Sequence, residues 1–252
     1  MTTTIPTPAT SRASTSSLRK TALVAGALYL ITFVTSIPAR VLFGPVRNDP
    51  NYILGSGVAD TQVLFAGLLD VLLAFSCIGT AVALYPVVKR QNQGIALGFV
   101  GSRTLEAAII MIGAVALLSV VTMRQAGAGA DALGTSHALV AMYNWTFLFG
   151  PGFMAVVNAF LLGSLMYRSG LVPRIIPLVG LIGAPLLFAS DLAVLFGLWT
   201  QMSLPAGIAT VPIALWEVSL GVYLVAKGFR PSPITAEMDA AKTRPAYQDA
   251  TV

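Results

Sequence analysis

The sequence predicts an all-α fold: a polytopic membrane helix bundle of six transmembrane helices with both termini in the cytoplasm. Three observations predict it. The chain of 252 residues is 56% hydrophobic and only 10% charged. Its mean hydropathy is +0.81. Its apolar residues gather into six runs of 22 to 29 residues separated by short polar stretches. A soluble domain carries about 25% charged residues, so this chain has too few charges to cover a water-facing surface. That excludes a soluble enzyme and a nucleic-acid-binding module, despite a net charge of +5. Cys77 is alone, which excludes a disulfide scaffold.

Taken in order, residues 1–18 are rich in Thr, Ser and Pro with Arg12 as the sole charge, the composition of a disordered tail. Arg19-Lys20 then opens the transmembrane domain, residues 19–229. The first run, Thr21–Phe43, makes about 35 Å of helix, enough for a hydrocarbon core of about 30 Å. It exceeds the roughly 7–15 residues of a signal-peptide core, and Pro38 is awkward for cleavage, so it reads as a retained helix. The loop Gly44–Asp60 holds Pro45, Pro50, Gly55 and Gly57, all turn residues. The next runs are Thr61–Leu84, Ile95–Val121 and Ala138–Met166. The last of these carries Gly150-Pro151-Gly152 at its middle, where Pro151 removes a backbone hydrogen bond and crowds the carbonyl of Phe147, predicting a kink or break. Ile175–Gly197 and Pro205–Ala226 complete the set. Residues 230–252 open with Arg230-Pro231-Ser232-Pro233 and stay polar, predicting a second disordered tail.

Orientation follows from the basic residues. With the N-terminus inside, eleven fall on the cytoplasmic side, three (Arg40, Arg47 and Arg124) on the outer side, and Arg103 within a helix. Positive residues favour the cytoplasmic side of a membrane. The chain is therefore expected in a bacterial cytoplasmic membrane, in contact with anionic lipid rather than nucleic acid.

Four acids, Asp70, Glu106, Asp191 and Glu217, lie inside apolar runs. A charge at a helix centre costs about 2.5–3.5 kcal/mol on insertion scales, so each should face protein or a watery cavity. At about 100° per residue, Gly67, Asp70, Ala74 and Cys77 share one helix face. Gly180, Gly183, Ala184 and Asp191 share another, and Thr210, Ala214, Glu217 and Gly221 a third. Asp70, Asp191 and Glu217 thus each lie among small residues that let helices approach closely. Arg103 and Glu106, three apart, suit an intrahelical ion pair. Gly94, Gly98 and Gly101 form a stripe on the other side of the same helix, which predicts protein contact on both sides and a central position. Asn144, Pro151, Ala155 and Asn158 align on one face of the fourth run. The expected polar intramembrane cluster is Arg103, Glu106, Glu217 and Asp70. Asn144, Pro151, Asn158 and Asp191 form a secondary polar and kink set, with Asp191 near the outer, solvated end of its helix.

Catalytic motifs are sparse. One histidine, His137, and one cysteine cannot build the usual zinc or haem sites, so no metal and no cofactor is expected. The buried charges fit two roles: binding or translocating a small solute or ion, or fixing helix register in a structural or accessory protein. An intramembrane carboxylate enzyme is a third reading. Expected partners are membrane lipids and a small solute or ion, with no nucleic acid; homo-oligomerisation stays open.

Several strings carry a family resemblance from Arg19 to Arg230. They include Gly26-Ala27-Leu28-Tyr29-Leu30, Ala83-Leu84-Tyr85-Pro86, Arg103-Thr104-Leu105-Glu106-Ala107, Arg168-Ser169-Gly170-Leu171-Val172-Pro173-Arg174 and Trp216-Glu217-Val218. In their order and spacing they resemble the bacterial integral-membrane family called domain of unknown function 4386. The resemblance implies a multi-pass membrane fold with cytoplasmic ends, and marks Arg103, Glu106 and Glu217 as matching polar positions. It implies no activity, substrate or cofactor.

Overall fold

The computed structural model describes residues 10–55 and 57–243. Its helices are α1 (Thr10–Leu42), α2 (Gly44–Asn48), α3 (Asp60–Val88), α4 (Gln93–Gln125), α5 (Leu133–Phe147), α6 (Ala155–Ser169), α7 (Ile175–Leu195), α8 (Leu204–Ala226) and α9 (Pro233–Thr243). A π-helical segment, Leu148–Met154, joins α5 to α6. Six stretches are long and apolar enough to cross a membrane, and they coincide with the six apolar runs, α5 and α6 forming one broken span.

The spans pack as a closed ring in chain order: α1 on α3, α3 on α4, α4 on α5 and α6, α6 on α7, α7 on α8, and α8 back on α1. Lipid tails are as apolar as leucine, so close packing rather than hydrophobic burial must hold such a ring. Glycines supply it at two joints. A methyl group on Gly180 would stand 2.6 Å from the Trp216 ring, and one on Gly183 2.8 Å from Pro212, so α7 and α8 touch nearly backbone to side chain. At the joint that closes the ring, a methyl on Gly26 of α1 would lie 2.7 Å from the carbonyl of Gly221 on α8. Arg19 tightens the same joint by donating to the α8 carbonyls of Leu224 at 2.9 Å and Val225 at 2.6 Å, in the helix's last turn. Outside the ring, Val34, Phe75, Val115, Ile182 and Leu215 are exposed, as lipid-facing side chains should be.

Several expectations need correcting. The α4 glycine stripe is not a close-packed seam: Gly94, Gly98 and Gly101 are exposed, a methyl on Gly98 would meet the Leu161 side chain of α6 only at an ordinary 3.7 Å, and nothing lies within 4 Å of one placed on Gly101. Nor is α4 central, because a ring leaves no central helix. The tail expected over residues 1–18 is helical from Thr10 onward, since no Gly or Pro follows Pro8 to stop the helix propagating back from the apolar run. The tail expected after residue 230 contains α9. There Thr235 and Ser232 cap each other, Ser232 N donating to Thr235 Oγ1 at 2.8 Å and Thr235 N to Ser232 Oγ at 3.4 Å, with Pro233 at the helix start and Ile234 buried in the core. Residues 1–9 and 244–252 of those tails lie outside the described residues.

Candidate functional site: a cavity ringed by six spans

Arg103 lies ten residues into α4, about 15 Å along it and well inside the span. Its Nη1 meets Glu106 Oε2 at 2.8 Å, the i,i+3 pair expected from the spacing. Three neighbours complete the pair. Thr80 of α3 lies 3.3–3.4 Å from the guanidinium, the Tyr29 ring of α1 is 5.4 Å away, and Asn158 of α6 donates to Glu106 Oε2 at 2.8 Å. Glu217 of α8 stands farther off, its Oε1 4.0 Å from Arg103 Nη1. Four spans therefore converge on one buried charge pair. Sharing hydrogen bonds in this way offsets the desolvation that makes isolated intramembrane charges costly.

This cluster forms the inner end of a cavity of about 500 Å³ to which all six spans contribute. Toward the end of the bundle that carries the termini, Tyr29, Phe99, Leu162 and Leu220 close it; each is at most 1% exposed. Toward the other end, Arg40, Asp70, Tyr143 and Phe147 line it. Asp70 is 6% exposed. Among the described residues it has neither a hydrogen-bond partner nor an ion pair within 4.0 Å. Arg40 stacks its guanidinium 3.7 Å over the Phe147 ring and donates to Met202 Sδ at 3.1 Å. Counted with the outer-side cations in the sequence, it lies on the last turns of α1 and lines the cavity, so Arg103 is not the lone cation there.

The expected set is thus brought together in part. Arg103, Glu106, Glu217, Asp70 and Pro151 line the cavity, and Asn158 supports Glu106 from behind. Asn144 does not join them. It is exposed, and its carbonyl accepts from Gln201 at 2.9 Å. The π-helical segment fits an extra residue into its turn, so α5 is out of phase with α6 by one position and Tyr143 takes the place that a uniform helix gives Asn144. Asp191 is not solvated but 7% exposed. It packs on the wide turn at Gly152, where an added methyl would fall 2.9 Å from Asp191 Oδ2. His137 is a surface contact, its Nε2 2.9 Å from the carbonyl of Pro50. Of the residues missed in the sequence, Thr80 shares the face of Asp70 and Cys77, and Arg40 sits inside the first apolar run. Those two positions were readable signals.

The far end of the bundle is a separate structure. The segment between α1 and α3 folds over it, burying Phe43, Val46, Tyr52 and Ile53 against α3, α4 and α5. Asp60 ties it down, accepting from Tyr52 Oη at 2.7 Å and Gln125 Nε2 at 2.9 Å and pairing with Arg124. Burial raises the Tyr52 phenol above its ordinary range, against the pull of Arg124.

Residues 24–228 match the family described as Domain of unknown function (DUF4386). The chain belongs to this family. Comparison with curated proteins and with solved structures gave no match. The DUF4386 region runs from α1 to just past α8 and contains every cavity residue, whereas α9 lies beyond it.

Proposed function

We propose that this DUF4386 protein binds a small solute in the cavity between its six spans, with Glu217 and Asp70 as the carboxylates that meet it. One observation carries the reading: Asp70 and Glu217 both line the cavity with no hydrogen bond among the described residues and no ion pair shorter than 4.0 Å, so their carboxylates are left for water or a solute to satisfy. Because the cavity is shut toward the terminal end, crossing the membrane would require the Tyr29–Phe99–Leu162–Leu220 plug to part. Binding is the primary expectation, and flux in proteoliposomes tests translocation separately. The excess of basic residues near the terminal end supports a cytoplasmic location for both termini, in a bacterial cytoplasmic membrane.

A solute that binds only the folded state must stabilise it, by about 2.7 kcal/mol at a hundredfold excess over Kd. Screening purified protein in nanodiscs against organic cations, anions and neutral solutes should raise the melting temperature for at least one, and Glu217→Gln should cancel that rise. A screen in which nothing stabilises the wild type rejects the binding reading. It would favour the accessory reading, which has its own support in the closed network of Arg103, Glu106, Thr80 and Asn158.

A further inference from the structure

The cavity also has a side opening and an uneven charge. α1 and α8 touch at Gly26 and Gly221, but toward the other end both helices turn cavity-lining residues to the surface. Phe33, Ile37 and Val41 on α1 and Thr210 and Ala214 on α8 line the cavity, while Ile37 is 62% and Val41 69% exposed and Thr210 is exposed as well. In a bilayer this seam faces acyl chains. The contact from Arg40 to Met202 Sδ at 3.1 Å lies beyond it, at the helix ends.

The charges lining the cavity are Arg40, Asp70, Arg103, Glu106 and Glu217. Arg103 is matched by Glu106 at 2.8 Å, while Arg40 and Asp70 line the other end with no ion pair between them within 4.0 Å, so the lining holds three carboxylates against two cations. Glu217 remains. It accepts no hydrogen bond among the described residues, and its nearest cationic nitrogen is 4.0 Å away. The remaining walls are mostly apolar or aromatic, including Phe33, Phe147, Leu187 and Ile213, with hydroxyls at Thr32, Ser36, Thr146 and Thr210. A volume of about 500 Å³ suits a small organic molecule.

Resting on the solute-binding reading above, we propose that the ligand is an amphiphilic organic cation, an amine on an apolar body, that enters from the bilayer between α1 and α8 and sets its ammonium on Glu217. Arg40 Nη1, which makes no hydrogen bond among the described residues, is a donor an anion could use, but three carboxylates against two cations favour a cation over the lining as a whole, and a hydrophilic ion would leave the apolar walls unfilled.

The test uses the full chain in phosphatidylcholine nanodiscs, which carry no net charge to recruit the probe. Dansylcadaverine, a fluorescent primary amine, is compared with its N-acetyl derivative and with dansyl-aminoundecanoic acid. The amine should bind saturably and both analogues at least tenfold more weakly. Glu217→Gln should weaken the amine by tenfold or more, while Glu217→Asp retains most of the affinity. Ala214→Trp, which fills the seam, should slow association several-fold. Tighter binding of the acid, or undiminished amine binding by Glu217→Gln, overturns the cation assignment. An unchanged association rate in Ala214→Trp overturns lateral entry. If the amine fails to bind while another solute stabilises the wild type, this inference falls and solute binding stands. If no solute of any class stabilises the protein, both fall.

Discussion

Arg103 and Glu217 carry opposite expectations under substitution, although they stand 4.0 Å apart. Replacing Arg103 with Ala leaves Glu106, 5% exposed, with Asn158 as its remaining partner. Breaking one side of a buried pair costs about 3–5 kcal/mol, so Arg103→Ala should lose most folded yield and unfold at much lower denaturant in detergent. The double variant Arg103→Met with Glu106→Leu should recover much of that loss, because no charge is left unpaired. Wild-type stability in the single variant would show that the pair contributes nothing. Glu217→Gln removes a carboxylate that has no close partner, so its folded stability should stay within about 1 kcal/mol of wild type while binding is lost. A group kept at no benefit to stability is what a binding role predicts.

Glycines divide at the scale of the helix pair. Gly26 sits where α1 and α8 meet, so Gly26→Val must push the helices apart and should lower folded yield sharply in size-exclusion profiles. Gly101 faces outward with open space around it, so Gly101→Ala should be neutral or slightly stabilising, by up to about 1 kcal/mol from helix propensity. Equal effects at the two sites would refute this division. Both glycines occur in small-residue patterns that look alike along the chain. The break in the fourth span was legible from Gly150-Pro151-Gly152, but its form was not. A kink would have kept Asn144 and Asn158 on one face, whereas the π-helical segment shifts the phase and exchanges Asn144 for Tyr143. Deleting Gly150 should restore uniform phase and bring Asn144 inward, and loss of cavity binding without loss of folding would check it.

At the scale of the whole molecule, six crossings return the chain to the side on which it began. With Cys77→Ala as background, Gln91→Cys in the α3–α4 turn and Gly129→Cys before α5 report on opposite ends. In intact cells a membrane-impermeant maleimide should label Gly129→Cys and spare Gln91→Cys. The reverse pattern would invert the proposed orientation. The ring itself depends on contacts between distant parts of the chain: Arg19 reaches α8 carbonyls 205 and 206 residues away, and Glu217 meets the α4 pair across the same closure.

By itself the sequence determined the solvent, the six spans, the place of the break and the Arg103–Glu106 pair. Each follows from local sums of hydropathy, from a proline's missing N–H, or from a separation of three residues along a helix. Only the tertiary structure decided which small-residue faces touch, that Arg40 turns inward, that Asp191 is covered by the wide turn at Gly152, and that the charges border a cavity rather than fill a solid core. In a membrane both faces of a helix are apolar, so hydropathy marks which segments are embedded but not which side meets protein and which meets lipid.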